Sequence, residues 1–194
     1  MNPEKNRFTR HLVGAGENTV PLAGLAIPEV FTAEEVTSPA VELLYPEPER
    51  HGAGGVECGI CSDPDEKFVW ANDRWRISTA DSPRSVFFVN LVPREHYVNM
   101  SDLPTPMAEE QGRLLALMER ALLAMEGAGR VHTHYWGDGA EHHHMWQIVR
   151  PEGFVQGRGV SLAVWLKLLP AMDAEDWESV KGDFAKALDS AAKT

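Results

Sequence analysis

The chain has only two cysteines in 194 residues, Cys58 and Cys61. That is too few for the disulfide framework of a small secreted domain, and their C-x-x-C spacing favours metal or redox chemistry in a reducing cytoplasm. No stretch approaches the roughly 18 consecutive apolar residues of a membrane span. A signal peptide is also missing from the reading: Lys5, Arg7 and Arg10 precede a few apolar residues, but Glu17 and Asn18 interrupt before an apolar core develops. Net positive charge is absent, with 18 Lys and Arg against 29 Asp and Glu for a formal charge of -11. A nucleic-acid polymer needs a basic footprint that displaces counterions, so it is excluded as a partner. A compact anion remains open if cations are gathered locally. Internal repeats and low-complexity tracts are lacking too.

What is present is ordinary globular composition, 43% hydrophobic and 24% charged. A chain of this length buries roughly 70% of its unfolded surface. Residues 1–55 show no sustained period and end in Tyr45-Pro46-Glu47-Pro48 and Gly52-Ala53-Gly54-Gly55, which reads as an N-terminal extension. Residues 68–70 and 74–79 read as strands around a tight turn at Asn72-Asp73, and 85–92 is the most β-prone run, closed by Pro93. Tyr97–Met100 reads as a further short strand. Thr105 is the expected N-cap of a helix over 106–126, with Leu114, Met118, Leu122 and Met125 on one face and Gly127 beyond its end. Strands over 130–136 and 142–149 follow. Trp177, Val180, Phe184 and Leu188 then recur at helical spacing. The order predicts an α+β fold: an antiparallel sheet with one long helix and C-terminal helices.

Six of the eight histidines fall in three groups: His96, the pair His132 and His134, and the run His142-His143-His144. On a strand, alternation puts His142, His144 and Trp146 on one face and His143, Met145 and Gln147 on the other. Such imidazoles can merely fill a half-exposed strand. The two cysteines, however, can occupy two corners of a zinc tetrahedron, with histidine as the natural donor for the rest. A redox couple, which would place the first cysteine at a helix start, and an unpaired couple of buried thiols stay open at this point.

Cys58-x-x-Cys61, the strand Phe87-Phe88-Val89-Asn90-Leu91 leading to Pro93-Arg94-Glu95-His96, and His142-x-His144-x-Trp146 before Arg150-Pro151 together resemble the histidine triad (HIT) superfamily in order and spacing. The resemblance runs from Cys58 to Pro151. It implies a structural zinc held by Cys58, Cys61, His96 and His142. It implies that His144 is a nucleophile toward a nucleotide phosphate, its second ring nitrogen fixed by a nearby backbone carbonyl. The substrate implied is a nucleotide or dinucleotide, a phosphoanhydride of the dinucleoside polyphosphate or nucleotide-sugar type. Asn90 falls where the family places a polar residue near the ribose. Homodimers through sheet edges and the long helix are common in the family.

Trp146 departs from the pattern, because the family commonly has a third histidine there. Indole donates one N–H bond but cannot shuttle a proton, so leaving groups that need no protonation suit the chain better. Gln147 could take that place only if a β-bulge shifts the facing. His132, His134, Arg150 and the backbone N–H groups of Gly137 to Ala140 are candidate phosphate contacts. The expected organisation is an extension over 1–55, a HIT-like domain with its zinc site over 56–155, and a helical segment over 156–194. Two rivals remain: a zinc-stapled nucleotide-binding module without turnover, and a cupin-like metal enzyme using His132, His134 and Glu141.

Overall fold

The computed structural model describes residues 18–21, 35–38, 40, 43–166 and 169–191; Lys5, Arg7, Arg10 and Glu17 lie outside the described residues. The chain divides into two compact units, residues 1–49 and 50–194. In the first, β1 (Asn18–Pro21) pairs antiparallel with β2 (Glu35–Ser38). The sequence reading carried the extension to residue 55, but the second unit already begins at Arg50. His51 N–H donates to the Gly139 carbonyl and its own carbonyl accepts from Glu141 N–H, which ties this segment to the histidine run.

The second unit is a five-stranded antiparallel sheet, and no helix among the described residues is long and apolar enough to cross a membrane. Its strands are β3 (Trp70–Ala71), β4 (Trp75–Ser78), β5 (Phe88–Pro93), β6 (Ala128–His134) and β7 (Met145–Pro151), in the spatial order β3-β4-β5-β7-β6. The β3–β4 turn is set by Asn72, whose Oδ1 accepts from the N–H groups of Arg74 and Trp75. Helices are α1 (Gly59–Ser62), α2 (Thr105–Leu123), α3 (Ser161–Trp165) and α4 (Ala174–Ala191). This is the expected α+β architecture.

Several elements differ from the expectation in bounds, the long helix ending at Leu123 and the strands lying at Phe88–Pro93 and Ala128–His134, and three differences have a local cause. Tyr97–Met100 is not a strand: Asn99 and Asp102 form a reciprocal capping box around a 3-10 turn, Met100–Asp102, and the Tyr97 carbonyl accepts from His143 N–H. The long helix starts one residue early, capped by Pro104 rather than Thr105, because the Pro104 carbonyl already accepts from Met107 and Ala108. The last strand begins at Met145, so the histidine run enters the sheet instead of belonging to it.

Register assigns the two faces of the sheet, since directly paired residues point the same way. Trp75, Ile77, Val89, Leu91, Met145, Val149 and Val131 form the back face, buried under Met107, Leu114, Met118 and Leu122 of α2 and Trp177, Phe184 and Leu188 of α4. Phe87 meets Trp177 and Phe184 with ring centroids at 5.4 and 5.9 Å. Because Phe184 is fully buried in this cluster, Phe184→Ala is expected to cost about 3–5 kcal/mol, read as a lowered denaturant midpoint at unchanged slope. The front face carries a smaller cluster in which Leu162 of α3 packs on Val86 and Ile148, with Phe88 and Trp146 at its margin.

Candidate functional site

At one end of the front face the residues of the C-x-x-C pair meet two histidines. Ligand atoms of Cys58, Cys61, His96 and His142 all lie within 4.8 Å of one another, and among the described residues this is the one cluster of three or more metal-capable side chains. Cys58 Sγ is 3.5 Å from His142 Nδ1, and Cys61 Sγ is 3.4 Å from both His142 Nδ1 and His96 Nδ1. Zinc bonds of about 2.3 Å to sulfur and about 2.0–2.1 Å to nitrogen give a tetrahedral S···N edge of about 3.5 Å. The donors and their spacing therefore fit a zinc ion. Four protein donors would close the coordination sphere and leave no position for water.

Neighbouring groups aim these ligands. His142 Nε2–H donates to the Pro93 carbonyl at 2.8 Å, turning the Nδ1 lone pair toward the thiols. Burial holds the His142 imidazole down at about 4, so it is neutral near pH 7, as a ligand must be. His96 presents Nδ1 to Cys61 while its Nε2 faces the Glu141 carboxylate at 3.7 Å. Glu141 is itself held by Gly54 N–H and Arg50. Gly52 turns the preceding loop with a φ of +78°, and a Cβ there would stand 3.3 Å from Cys58 Cβ. Arg76 anchors α1 from beneath, donating to the Ile60 carbonyl and to Asp65, which also binds Arg94.

These contacts bear on the other readings of the cysteines. Cys58 does cap the one-turn α1, the place a redox cysteine would take. Yet two imidazole nitrogens stand 3.4–3.5 Å from the thiols, donors that a zinc site requires and a redox pair does not. Glu141, which the cupin reading grouped with His132 and His134, is engaged with Gly54, Arg50 and His96.

The three consecutive histidines go separate ways. His142 turns to the thiols. His143 is buried under α2, with Nε2–H donating to Gln111 Oε1 at 2.8 Å, and burial holds it neutral, down to about 4. His144 remains partly exposed, and its Nδ1–H donates to the His142 carbonyl at 2.7 Å. That bond fixes the tautomer and leaves Nε2 with a free lone pair.

Beside His144 the front face presents a row of polar residues. Register aligns Ser78 with Asn90, Asn90 with Trp146, and Trp146 with His134 across four strands. Asn90 Oδ1, Trp146 Nε1 and His134 Nε2 are all buried with no hydrogen-bond partner. Trp136 stacks on His134 with ring centroids 4.4 Å apart and meets Trp146 at 5.9 Å; His144 meets Trp146 at 6.1 Å. A cavity of about 250 Å³ touches Ser78, Thr79, Cys58 and His142, next to the metal cluster.

Of the sequence-predicted contacts, Asn90 and Trp146 thus lie together on the face that follows His144. His132 lies further along the edge strand, stacked on His134 and hydrogen-bonded to the Gly159 backbone. Gln147 is elsewhere. It pairs with Val89 and Thr133 without a bulge, faces α2, and donates to the Leu115 carbonyl and Thr133 Oγ1, so it is withdrawn as a substrate contact. Arg150 is engaged with the carbonyls of Pro151 and Phe154. Sequence reasoning missed Ser78 and Gln111, and it placed Glu141 only in the cupin-like alternative instead of beside His96. Only strand register and the path of the loop bring them in.

No family model matches the sequence, and no curated protein matches it. Solved structures do. A histidine triad protein from Marinobacter aquaeolei VT8 is 19% identical, with 63% of this chain covering 88% of that one at a TM-score of 0.52. A histidine triad protein from Bradyrhizobium japonicum is 17% identical, with 66% of this chain covering 95% of that one at 0.53. A hypothetical histidine triad nucleotide-binding protein from Sulfolobus tokodaii strain7 is 15% identical, with 69% of this chain covering 93% of that one at 0.53. With its sheet order, its long helix and its histidine run at the mouth of β7, the chain has the fold of the histidine triad superfamily.

Proposed function

We propose that this chain is a nucleotide hydrolase or nucleotidyltransferase that cleaves a phosphoanhydride through a nucleotidyl intermediate on His144. The observation that carries the reading is the 2.7 Å bond from His144 Nδ1–H to the His142 carbonyl, which frees Nε2 for attack beside a row of unpartnered polar atoms. A buried polar atom without a partner is costly, and a bound ligand is one thing that satisfies it. The nucleotide is carried over from the fold, one of the similar structures being described as a nucleotide-binding protein.

In the first step the Nε2 lone pair forms a bond to the α-phosphorus. The bond from that phosphorus to the leaving oxygen breaks, and its electron pair departs with the phosphate or pyrophosphate. In the second step an acceptor takes the nucleotide and the electron pair returns to Nε2. Asn90 and Trp146 would bind and orient the substrate. Cys58, Cys61, His96 and His142 would hold a zinc ion whose part is structural. His142 links the two jobs, because its ring faces the thiols and its carbonyl sets the tautomer of His144.

Trp146 makes the reading selective. An indole cannot protonate an amine as it leaves, and a missing proton donor costs roughly 10²–10⁴-fold. On paired substrates sharing one nucleotide, kcat/KM is expected to favour the phosphoanhydride over the phosphoramidate by about that ratio; equal values would contradict the assignment. The function itself is tested with a panel of dinucleoside polyphosphates and nucleotide sugars. Release of a mononucleotide or its transfer supports it. Binding without turnover across the panel would replace it with a nucleotide-binding module.

A further inference from the structure

Resting on the reading of His144 as nucleophile, we propose that His134 is the general base of the second step, taking the proton from an acceptor water that Trp146 holds. The row of register partners places His134 directly opposite Trp146. Facing side chains on an antiparallel pair have Cβ atoms about 4.5–5.5 Å apart. Trp146 Nε1 can only donate, and His134 Nε2 can accept when the ring proton is on Nδ1. Both atoms are buried and neither has a partner. An oxygen between them would accept from the indole and donate to the imidazole, which satisfies two orphaned groups at once and leaves a lone pair on the oxygen.

The position also suits the chemistry. His144 stands just before β7, and its ring meets that of Trp146, the residue opposite His134, with centroids 6.1 Å apart. Trp146 thus borders both rings, the nucleophile on its own chain segment and the base on the facing strand. When the water oxygen bonds to phosphorus, the bond between phosphorus and His144 Nε2 breaks and its electron pair returns to that nitrogen. The water proton passes to His134 Nε2. The imidazolium then releases it to solvent, and both rings are restored.

The environment favours a base over an acid. Burial lowers the proton affinity of His134 below that of an ordinary histidine, which keeps it neutral and able to accept. The titratable group against it is His132 on its own strand, cationic when charged, and Arg130 and Arg150 act on that neighbour. Its neighbour His132 is already hydrogen-bonded to the Gly159 backbone, so the two imidazoles of the pair are not equivalent. Trp136, 40% exposed, stacks on His134 and covers one face of the ring. A base here takes over in β6 the proton transfer that an indole at position 146 cannot perform.

The test is a rapid-quench experiment with diadenosine tetraphosphate labelled at the α-phosphorus, on the full metal-loaded chain. His134→Phe keeps an aromatic ring in the stack and removes both nitrogens. This variant is expected to form the labelled adduct at the wild-type rate, to accumulate it to about one per chain, and to turn over roughly 10²–10⁴-fold more slowly. His134→Ala is expected to regain turnover when imidazole is added. Wild-type adduct together with His134→Phe turnover within about threefold of wild type would overturn the role of His134 alone. No adduct in the wild type would overturn the nucleophile reading, and this inference with it.

Discussion

His144→Ala is expected to lose turnover by roughly 10⁴-fold or more while keeping its melting temperature. Removing a nucleophile eliminates the covalent path, and what remains comes from binding and orientation alone. The side chain is partly exposed and makes its one assigned hydrogen bond to the carbonyl two residues before it, so its loss opens no cavity in the core. Stability is therefore expected to change by no more than about 1 kcal/mol, within what one hydrogen bond contributes. Substrate affinity, measured with a non-hydrolysable analogue, should also survive. Asn90, Trp146 and the rest of the row are untouched. A His144→Ala variant that kept wild-type turnover would remove the proposed reaction, and one that failed to fold would reassign His144 to the structure.

Stripping the metal is expected to act in the opposite order, on the fold first. Structural zinc contributes about 10–16 kcal/mol of apparent binding free energy in small zinc modules, comparable with the whole stability of a domain. Here the four donors come from three separated parts of the chain: Cys58 and Cys61 around α1, His96 just after β5, and His142 before β7. Without an ion, two thiols and two imidazoles remain gathered, with the Cys61 thiol already pushed up to about 11 by burial and its neighbour Cys58. Removal by a strong chelator, or Cys58→Ser, is predicted to lower the melting temperature by on the order of 20 °C or more. Elemental analysis should find one zinc per chain before treatment. An unchanged melting curve after verified metal loss would show that the cluster is not a staple.

Much of this was legible in the sequence, for identifiable reasons. The α2 and α4 stripes depend on period alone, so Leu114, Met118, Leu122, Trp177, Phe184 and Leu188 could be read as core directly, and they are buried. The metal cluster was legible because its residue types are rare and its order in the chain is distinctive. The details that were missed are those where a local hydrogen bond outweighs a pattern. Asn99 and Asp102 turn a β-prone stretch into a capped 3-10 turn. Pro104 starts α2 before Thr105 can cap it.

The histidine run shows both sides of this. Alternation correctly separated His143 from its neighbours, even though the run precedes the strand and the side chains are aimed by contacts: Pro93 for His142, Gln111 for His143, and the His142 carbonyl for His144. Gln147 could not be settled from the sequence, since only the register with Val89 and Thr133 reveals that no bulge turns it to the front. The significance of His134 over His132 was equally hidden. Both alternate onto the same face, and only the placement of Trp146 and Gly159 distinguishes them.

The most direct measurement is to quench the wild-type chain with a dinucleoside polyphosphate and map the modified residue by mass spectrometry under conditions that preserve phosphoramidate bonds. A single nucleotidyl group on His144, absent from His144→Ala, is the result expected. A stable, active wild type that never carries the group, or carries it on another residue, would contradict the assignment of His144 as nucleophile.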